Sequence, residues 1–400
     1  MIFMFKQIYK MFMQYIVFPF IYFKNRWSKV EDKLVIFADS KHDSCPPYMM
    51  SIRERLKNEH YNIKEFYIDS SKHTRKEVID SMLDFMRMYP KAAYVIICDY
   101  YLPVSSCKKK KETKVIQLWH GCGAFKRFGH DATDDIPRFY IGSPIKNYDL
   151  VTVSGDACLT YFRSAMQIPD FENNIVRPMG AAYTDKFYDE DFIESCKDKF
   201  RFAYPNARGK KVILWAPTFR GNAGRTGEKK NMKLFESMRL EINAVLRELS
   251  DAFLIESLHP HMNGGKDSIM TTEELMVCAD MLITDYSSVF FEYLLFDKPI
   301  LFYVPDLEKY TDKRGFYLNF NKLPGRIVRD KKNLKYNIKE ALFNDDMSEQ
   351  REDFKARYMN GCDGKATKRI MDYIICPRGR GLRAKLDDNE MVQADVSCCV

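Results

Sequence analysis

Short runs of apolar residues alternate along this chain with longer segments in which apolar residues recur every three or four positions. The short runs are typical of buried strands, and they occupy residues 34–37, 63–68, 93–98, 115–118, 151–153, 175–176, 212–215, 253–256, 281–283 and 299–303. The longer segments predict helices at 48–59, 76–88, 231–249, 271–278, 289–296, 347–359 and 366–375. Regular alternation of strands and helices predicts an α/β fold with doubly wound parallel sheets.

The alternation is interrupted between residues 190 and 210, where charged residues accompany Pro205 and Gly209. Such a composition favours a linker, so we predict two Rossmann-like domains, an N-terminal one at 31–195 and a C-terminal one at 205–376. A chain of 400 residues, 46% of them hydrophobic, is long enough for two cores. Residues 377–400 are polar and lack a core pattern, so a disordered tail is predicted there.

The first 30 residues differ from the rest because they are apolar and aromatic, with cations and no acid before Glu31. The apolar stretch 11–23 contains Gln14 and Pro19, and it is shorter than the roughly 20 residues that a spanning helix needs. No small-residue cleavage site follows, which disfavours a signal peptide. We therefore predict an amphipathic helix that associates with an anionic membrane surface. The alternative is a helix that covers one face of a domain.

The charge and cysteine content narrow the class of protein. The formal net charge is +8, which fits nucleic acid, an anionic membrane or an anionic substrate as a partner. Neither zinc-finger spacing nor an RNP-like motif is present, so we expect no nucleic-acid partner. The 11 cysteines form no C-x-x-C pair, which favours a reducing compartment over a disulfide framework. No acidic or histidine cluster has the spacing of a defined metal site, so no metal is expected.

The most informative polar segment lies between the predicted strand 281–283 and the predicted helix 289–296. It contains Thr284, Asp285, Ser287 and Ser288. The first N–H groups of a helix lack intrahelical partners and attract anions, and the hydroxyls add donors, so this segment predicts a phosphate site. Glu292 follows Ser288 by one helical turn, where its carboxylate can accept hydrogen bonds from a ribose. The alternative is an ordinary helix capped by Ser or Asp.

Three other predicted strands end in segments with similar chemistry. Glycines, hydroxyls or cations follow each strand, namely His120, Gly121, Cys122, Gly123 and Lys126 after strand 115–118, Thr218 and Arg220 after strand 212–215, and His259 after strand 253–256. Ligands of open α/β sheets bind outside the carboxyl ends of the strands. These residue types at those positions predict a site for a diphosphate.

Histidine has a pKa suited to acid–base chemistry near neutrality, so we assign His120 as the catalytic base. His259 is expected to contact the diphosphate or assist the leaving group. The small residues Gly121, Cys122 and Gly123 would let a substrate approach closely, and a small residue in a tight loop is the preferred interpretation of Cys122 over a nucleophile.

The motifs WHG at 119–121, APTFR at 216–220, HP at 259–260 and TDYSSVFFEYLLFDKPILFY at 284–303 resemble those of the CDP-glycerol glycerophosphotransferase family, the teichoic-acid primases and polymerases. The resemblance covers residues 33–375. It implies a GT-B fold in which the last helices cross back to the first domain, and peripheral attachment to the cytoplasmic face of the bacterial membrane. It also implies transfer of glycerol phosphate from CDP-glycerol to a hydroxyl of a membrane-linked acceptor, with release of CMP and no cofactor.

Two departures from the family pattern leave the polyol and the acceptor open. Cys122 and Gly123 stand where the family commonly has Thr-Pro, and the run 180–185 lacks an arginine that the family often has. The alternatives are a CDP-ribitol ribitolphosphotransferase, a GT-B glycosyltransferase that uses a nucleotide sugar, and a catalytically silent membrane adaptor that binds anionic polymer. Primase and polymerase share these motifs, so the sequence does not separate them.

Overall fold

The computed structural model describes residues 2–132, 134–172, 174–218, 228–257 and 269–375. Within these ranges the chain forms two parallel sheets, each covered by helices on both faces. This agrees with the predicted α/β fold. The tail predicted at 377–400 lies outside the described residues.

An almost continuous helix begins the chain. It consists of α1 (Ile2–Phe12), a π-helical turn (Met13–Val17) and α2 (Phe18–Asn25). Its inner side packs on the first sheet unit through Phe18, Tyr22 and the wholly buried Gln14. The Gln14 amide donates hydrogen bonds to the carbonyl oxygens of Ser105 (3.1 Å) and Ser143 (2.8 Å). Gln14, which interrupts the apolar stretch in the sequence, therefore anchors the helix. No helix in the described ranges is long and apolar enough to cross a membrane.

The first sheet has six parallel strands in the order β2-β1-β3-β4-β5-β6. The strands are β1 (Glu31–Asp39), β2 (Asn62–Tyr67), β3 (Ala92–Ile97), β4 (Lys114–Gln117), β5 (Leu150–Thr152) and β6 (Val176–Arg177). The helices of this unit are α3 (Pro47–Asn58), α4 (Arg75–Met88) and α5 (Leu159–Met166). Because helices cover both faces, β3 is buried along its whole length.

Residues 190–210, which we predicted as a linker, contain the helix α6 (Glu190–Ala203). Cys196 and Phe200 are buried at helical spacing, while the charged residues lie on the outer side. The high charge concealed this periodicity in the sequence. The helix packs against the second unit, where Lys199 pairs with Glu274 at 2.8 Å.

The second sheet has five parallel strands in the order β11-β10-β9-β7-β8. The strands are β7 (Lys211–Trp215), β8 (Ala252–Glu256), β9 (Met281–Thr284), β10 (Ile300–Tyr303) and β11 (Arg326–Val328). The helices are α7 (Glu228–Arg247), α8 (Thr272–Cys278), α9 (Val289–Tyr293), α10 (Leu307–Arg314) and α11 (Leu334–Phe343). The sequence did not predict β11, α10 or α11, because a three-residue strand and short charged helices carry weak periodicity.

Two closing helices join the units, namely α12 (Ser348–Tyr358) and α13 (Ala366–Ile375). The buried Arg351 of α12 pairs with Asp345 and Asp297 in the second unit. α13 instead packs on the first sheet, and the Tyr94 hydroxyl donates to the carbonyl oxygen of Ile374 at 2.7 Å. The chain therefore crosses back to its first unit, as the family resemblance implies.

Candidate functional site

The loop after β4, residues 118–128, leaves the first unit and packs against the second. The N–H of Tyr317 donates to the carbonyl oxygen of Phe125 at 2.9 Å, and Lys126 forms an isolated antiparallel bridge with Phe316. The Phe125 ring packs edge-on against Phe290 of α9, with ring centroids 5.1 Å apart. The carboxyl ends of the two sheets therefore face each other across this loop, and the predicted motifs meet here.

His120 lies at the open side of the loop, with 40% of its side chain exposed. Its Nδ1 is 3.1 Å from the carbonyl oxygen of Cys98. A carbonyl oxygen only accepts hydrogen bonds, so Nδ1 carries the proton in the neutral ring and Nε2 holds the free electron pair. This tautomer is the one that a base acting through Nε2 requires.

Gly121 faces the serine-rich turn of the second unit. The Ser288 Oγ lies 3.9 Å from the position that a Cβ at Gly121 would take, which is an ordinary van der Waals distance, so the two motifs are adjacent. Ser288 is exposed and Ser287 is half-buried, with its Oγ accepting a long hydrogen bond from the Val289 N–H at 3.4 Å. The predicted base and the predicted phosphate site are therefore neighbours.

Gly123 serves a different purpose from the one that we predicted. It has φ +70°, and a Cβ there would lie 2.3 Å from the ring of Phe291. Its N–H donates to the Ser154 Oγ at 2.8 Å. The missing side chain therefore makes room for a phenylalanine of α9, and Gly123 packs the two units together instead of admitting a substrate.

Cys122 is also buried between the units. Its Sγ lies 3.4 Å from the Tyr183 hydroxyl, and burial raises the pKa of the thiol. A protonated, buried thiol neither contacts an incoming substrate nor acts as a nucleophile. The preferred interpretation of Cys122 as a small residue in a tight loop agrees with this position, whereas the expected substrate contact does not.

Glu292 lies beneath the same loop and is only 7% exposed. Its Oε1 accepts hydrogen bonds from the Tyr183 hydroxyl and from the Cys122 N–H, the latter at 3.2 Å. Burial raises the pKa of this carboxyl above its usual range. Its Oε2 is buried and has no hydrogen-bond partner among the described residues. Glu292 thus supports the loop, and its contact with a ribose stays a prediction.

Tyr183 is a site residue that the sequence analysis missed. It lies in the run 180–185, where the chain departs from the family pattern, and its ring packs edge-on against Tyr48 with centroids 5.0 Å apart. The departure itself was the available signal, because Tyr183 stands in the run that lacks the arginine often present in the family.

Thr284 and Asp285 stabilise the serine-rich turn of the second unit through hydrogen bonds made from buried positions. Both are fully buried. The Thr284 hydroxyl donates to the carbonyl oxygen of Ala216 at 2.7 Å, and the Asp285 carboxylate accepts from the N–H of Thr218 at 2.7 Å and from the N–H of Tyr286. These bonds place Thr218 beside the serine turn and engage the Thr284 hydroxyl and the Asp285 carboxylate inside the protein. Contacts of the three residues with a ligand stay predictions.

Three predicted residues remain, namely Lys126, Arg220 and His259. Lys126 is half-buried, with its Nζ 5.6 Å from the centroid of the Tyr310 ring. Arg220 and His259 lie outside the described residues. In the part of the chain that the structure covers, no group of three His, Cys, Asp or Glu side chains is arranged to hold a metal ion.

Comparison with known proteins places this chain in a family. The sequence model of the CDP-glycerol:poly(glycerophosphate) glycerophosphotransferase family matches residues 20–376. The teichoic acid ribitol-phosphate primase of Bacillus spizizenii is 35% identical over 298 residues, which are 70% of this chain and 74% of the primase. The teichoic acid glycerol-phosphate primase of Bacillus subtilis is 32% identical over 300 residues, which are 70% of this chain and 73% of that primase.

A longer match and a solved structure extend the similarity. The teichoic acid poly(ribitol-phosphate) polymerase of B. spizizenii is 31% identical over 384 residues, covering 90% of this chain but 59% of the polymerase. The structure of the wall teichoic acid polymerase TagF has a TM-score of 0.67 and 22% identity, covering 88% of this chain and 91% of that one. That likeness concerns the fold. The chain belongs to the CDP-glycerol:poly(glycerophosphate) glycerophosphotransferase family.

Proposed function

We propose that the protein transfers a polyol phosphate from a CDP-activated polyol to a hydroxyl of a teichoic-acid-like acceptor, with release of CMP. Membership of the family supports this assignment. The observation that carries it is the position of His120, whose side chain is 40% exposed in the loop where Gly121 lies next to Ser288. Its Nδ1 bonds the carbonyl oxygen of Cys98, which leaves Nε2 to act as the base.

The proposed reaction is an attack by the acceptor hydroxyl on the β-phosphorus of the donor. His120 Nε2 accepts the hydroxyl proton as the new P–O bond forms, and the P–O bond to CMP breaks. A positioned base of this kind contributes about 10²–10⁴-fold to the rate. Ser287 and Ser288 would donate hydrogen bonds to the diphosphate, with Arg220 and His259 as further predicted contacts. Lys126 is proposed to attract an anionic acceptor.

The polyol is proposed to be glycerol, with ribitol as the second candidate. The family description names CDP-glycerol. Sequence identity supports ribitol as the second candidate, because the chain is 35% identical to the ribitol-phosphate primase and 32% identical to the glycerol-phosphate primase of B. subtilis.

We propose in addition that α1 and α2 rest on an anionic membrane that holds a lipid-linked acceptor, at the cytoplasmic face of the bacterial membrane. One stripe of the helix is exposed and apolar, at a spacing of three to four residues: Phe5, Ile8, Phe12, Ile16, Phe20, Phe23 and Trp27. Lys24 and Arg26 flank its end. The opposite side is fixed to the protein by Gln14, so the exposed stripe is free to meet lipid.

The test incubates the purified protein with radiolabelled CDP-glycerol, CDP-ribitol or UDP-sugars and a lipid-linked acceptor. The proposal expects label from one CDP-polyol in the acceptor, together with released CMP. The same assay is run with His120→Ala, which removes the proposed base. Its control is His60→Asn, because His60 is exposed with φ +59° at the far end of α3, and asparagine tolerates that conformation. Transfer from a UDP-sugar alone would identify a glycosyltransferase. Binding without any transfer would identify an adaptor.

A further inference from the structure

Asp99, which the sequence analysis did not single out, lies behind the His120 ring. It follows β3 by two residues and is 5% exposed. Its Oδ2 is 3.7 Å from His120 Nδ1, and the same oxygen pairs with the Lys41 Nζ. Its Oδ1 accepts a hydrogen bond from the Tyr100 N–H at 2.6 Å. One buried carboxylate oxygen is therefore shared by an imidazole and an ammonium group.

The backbone around Asp99 also fixes the turn that carries His120. Gln117 donates through Nε2 to the carbonyl oxygen of Asp99 at 3.0 Å, and its Oε1 accepts from the Trp119 N–H at 3.0 Å. Trp119 has φ +62°, a conformation that a bulky residue adopts only when its surroundings enforce it. The ends of β3 and β4 are thus tied together directly next to the ring.

We propose that Asp99 is a positioning residue for His120 and that Lys41 moderates its effect. This inference rests on the proposed function, in which His120 Nε2 takes a proton. The ring becomes positive at that moment, and a carboxylate 3.7 Å from Nδ1 stabilises the imidazolium. Lys41 opposes this stabilisation, because it attracts the same oxygen. Asp99 and Lys41 therefore act in opposite directions on the positive charge that His120 gains during the reaction.

The other ionisable groups around the His120 ring do not supply a competing charge near neutral pH. Burial raises the pKa of the Tyr48 phenol, whose ring packs edge-on against His120, and of the Cys98 thiol beneath it. The groups under the loop also have raised pKa values because of burial, namely Cys122, Tyr183 and Glu292. Behind Lys41, Asp39 pairs with His42 at 2.8 Å. Among these groups Asp99 is the one within ion-pair distance of the imidazole, at 3.7 Å, and Lys41 pairs with that same carboxylate.

The experiment compares Asp99→Asn with Lys41→Met. A carboxylate within about 4–6 Å favours the charged form of a histidine ring, so Asp99→Asn should lower turnover by about 10–100-fold with little change in KM for the donor. The acid limb of the kcat/KM profile reports the pKa of the base in the free enzyme. It should move to lower pH in Asp99→Asn and to higher pH in Lys41→Met. Lys72→Met is the control, since Lys72 pairs with Asp69 instead.

A second readout works without turnover. NMR titration of the His120 ring, assigned by loss of its signal in His120→Gln, should show the same opposite shifts in the two variants. If the His120 titration shifts in both variants but the wild type shows no transferase activity, the effect of Asp99 and Lys41 on His120 is upheld and the proposed function is refuted. An active enzyme in which neither variant moves the His120 titration would overturn the inference. Lys41 is 60% exposed, so its variant tests the inference even if Asp99→Asn does not fold.

Discussion

Replacing Gly123 by alanine should weaken the contact between the two units. The new methyl group would sit at φ +70° and 2.3 Å from the Phe291 ring. The left-handed conformation costs an alanine about 1–2 kcal/mol, and forcing a methyl group into a filled space costs about 1–3 kcal/mol more. We therefore expect Gly123→Ala to lower the free energy of unfolding by about 2–5 kcal/mol.

A second glycine separates these two costs. Gly209 has φ +75°, but no atom of the residues that the structure describes lies within 4 Å of a Cβ there. Gly209→Ala should therefore show the conformational cost alone, about 1–2 kcal/mol. Urea unfolding followed by tryptophan fluorescence measures both variants. In a Phe291→Leu background, the additional cost of Gly123→Ala should shrink, because the smaller side chain vacates the space.

Equal destabilisation by Gly123→Ala and Gly209→Ala would refute the reasoning, because it would mean that Phe291 does not cover Gly123. An additional cost that persists unchanged in the Phe291→Leu background would refute it as well. Transferase activity should fall together with stability in Gly123→Ala, since the same loop carries His120.

Three further predictions address the ligand site, the buried carboxyl and the membrane. Ser287→Ala and Ser288→Ala should each weaken CDP-polyol binding by roughly 1.5–3 kcal/mol in calorimetry while saturated turnover changes less; unchanged affinity in both would exclude this phosphate site. Glu292 has a raised pKa in the folded protein, so its contribution to stability is present below the pKa of the unfolded state and is lost as pH rises through the pKa of the folded state. The free energy of unfolding of the wild type, relative to that of Glu292→Gln, should therefore fall as pH rises between these two pKa values. A difference between the two proteins that does not change with pH would contradict this prediction. Replacing Phe12, Ile16 and Phe20 by serine should reduce binding to anionic vesicles without lowering Tm, and high salt should release the wild type; retention until detergent is added would show deep insertion instead.

Much of the fold followed from periodicity alone. All strands except β11, and most helices, were predicted because long apolar runs and helical spacing are local properties. The helix α6 was missed because charge obscured its buried residues, Cys196 and Phe200. The sequence also gave no reason to expect that Gln14, in an apolar segment, would be a buried anchor.

The candidate site was only partly predictable. The sequence placed the segments of His120 and Ser288 at strand ends, and the structure brings Gly121 next to Ser288. The roles of His120, Ser287 and Ser288 stay predictions. The burial of Glu292 depends on a loop 170 positions earlier in the chain, and no local pattern records such a contact. In the sequence, Asp99 cannot be distinguished from any other acidic residue that follows a strand. The fold shows that it lies beside His120.

His120 is proposed to be the base for polyol-phosphate transfer. The decisive experiment measures CDP-polyol binding and turnover on one preparation of His120→Ala, with His60→Asn as control. We expect turnover to fall by about 10²–10⁴ while donor affinity is retained. His120→Gln should not restore turnover, because an amide takes no proton at neutral pH. Near-normal turnover in His120→Ala would exclude His120 from the chemistry, and a sharp loss of donor affinity would assign it to the diphosphate instead.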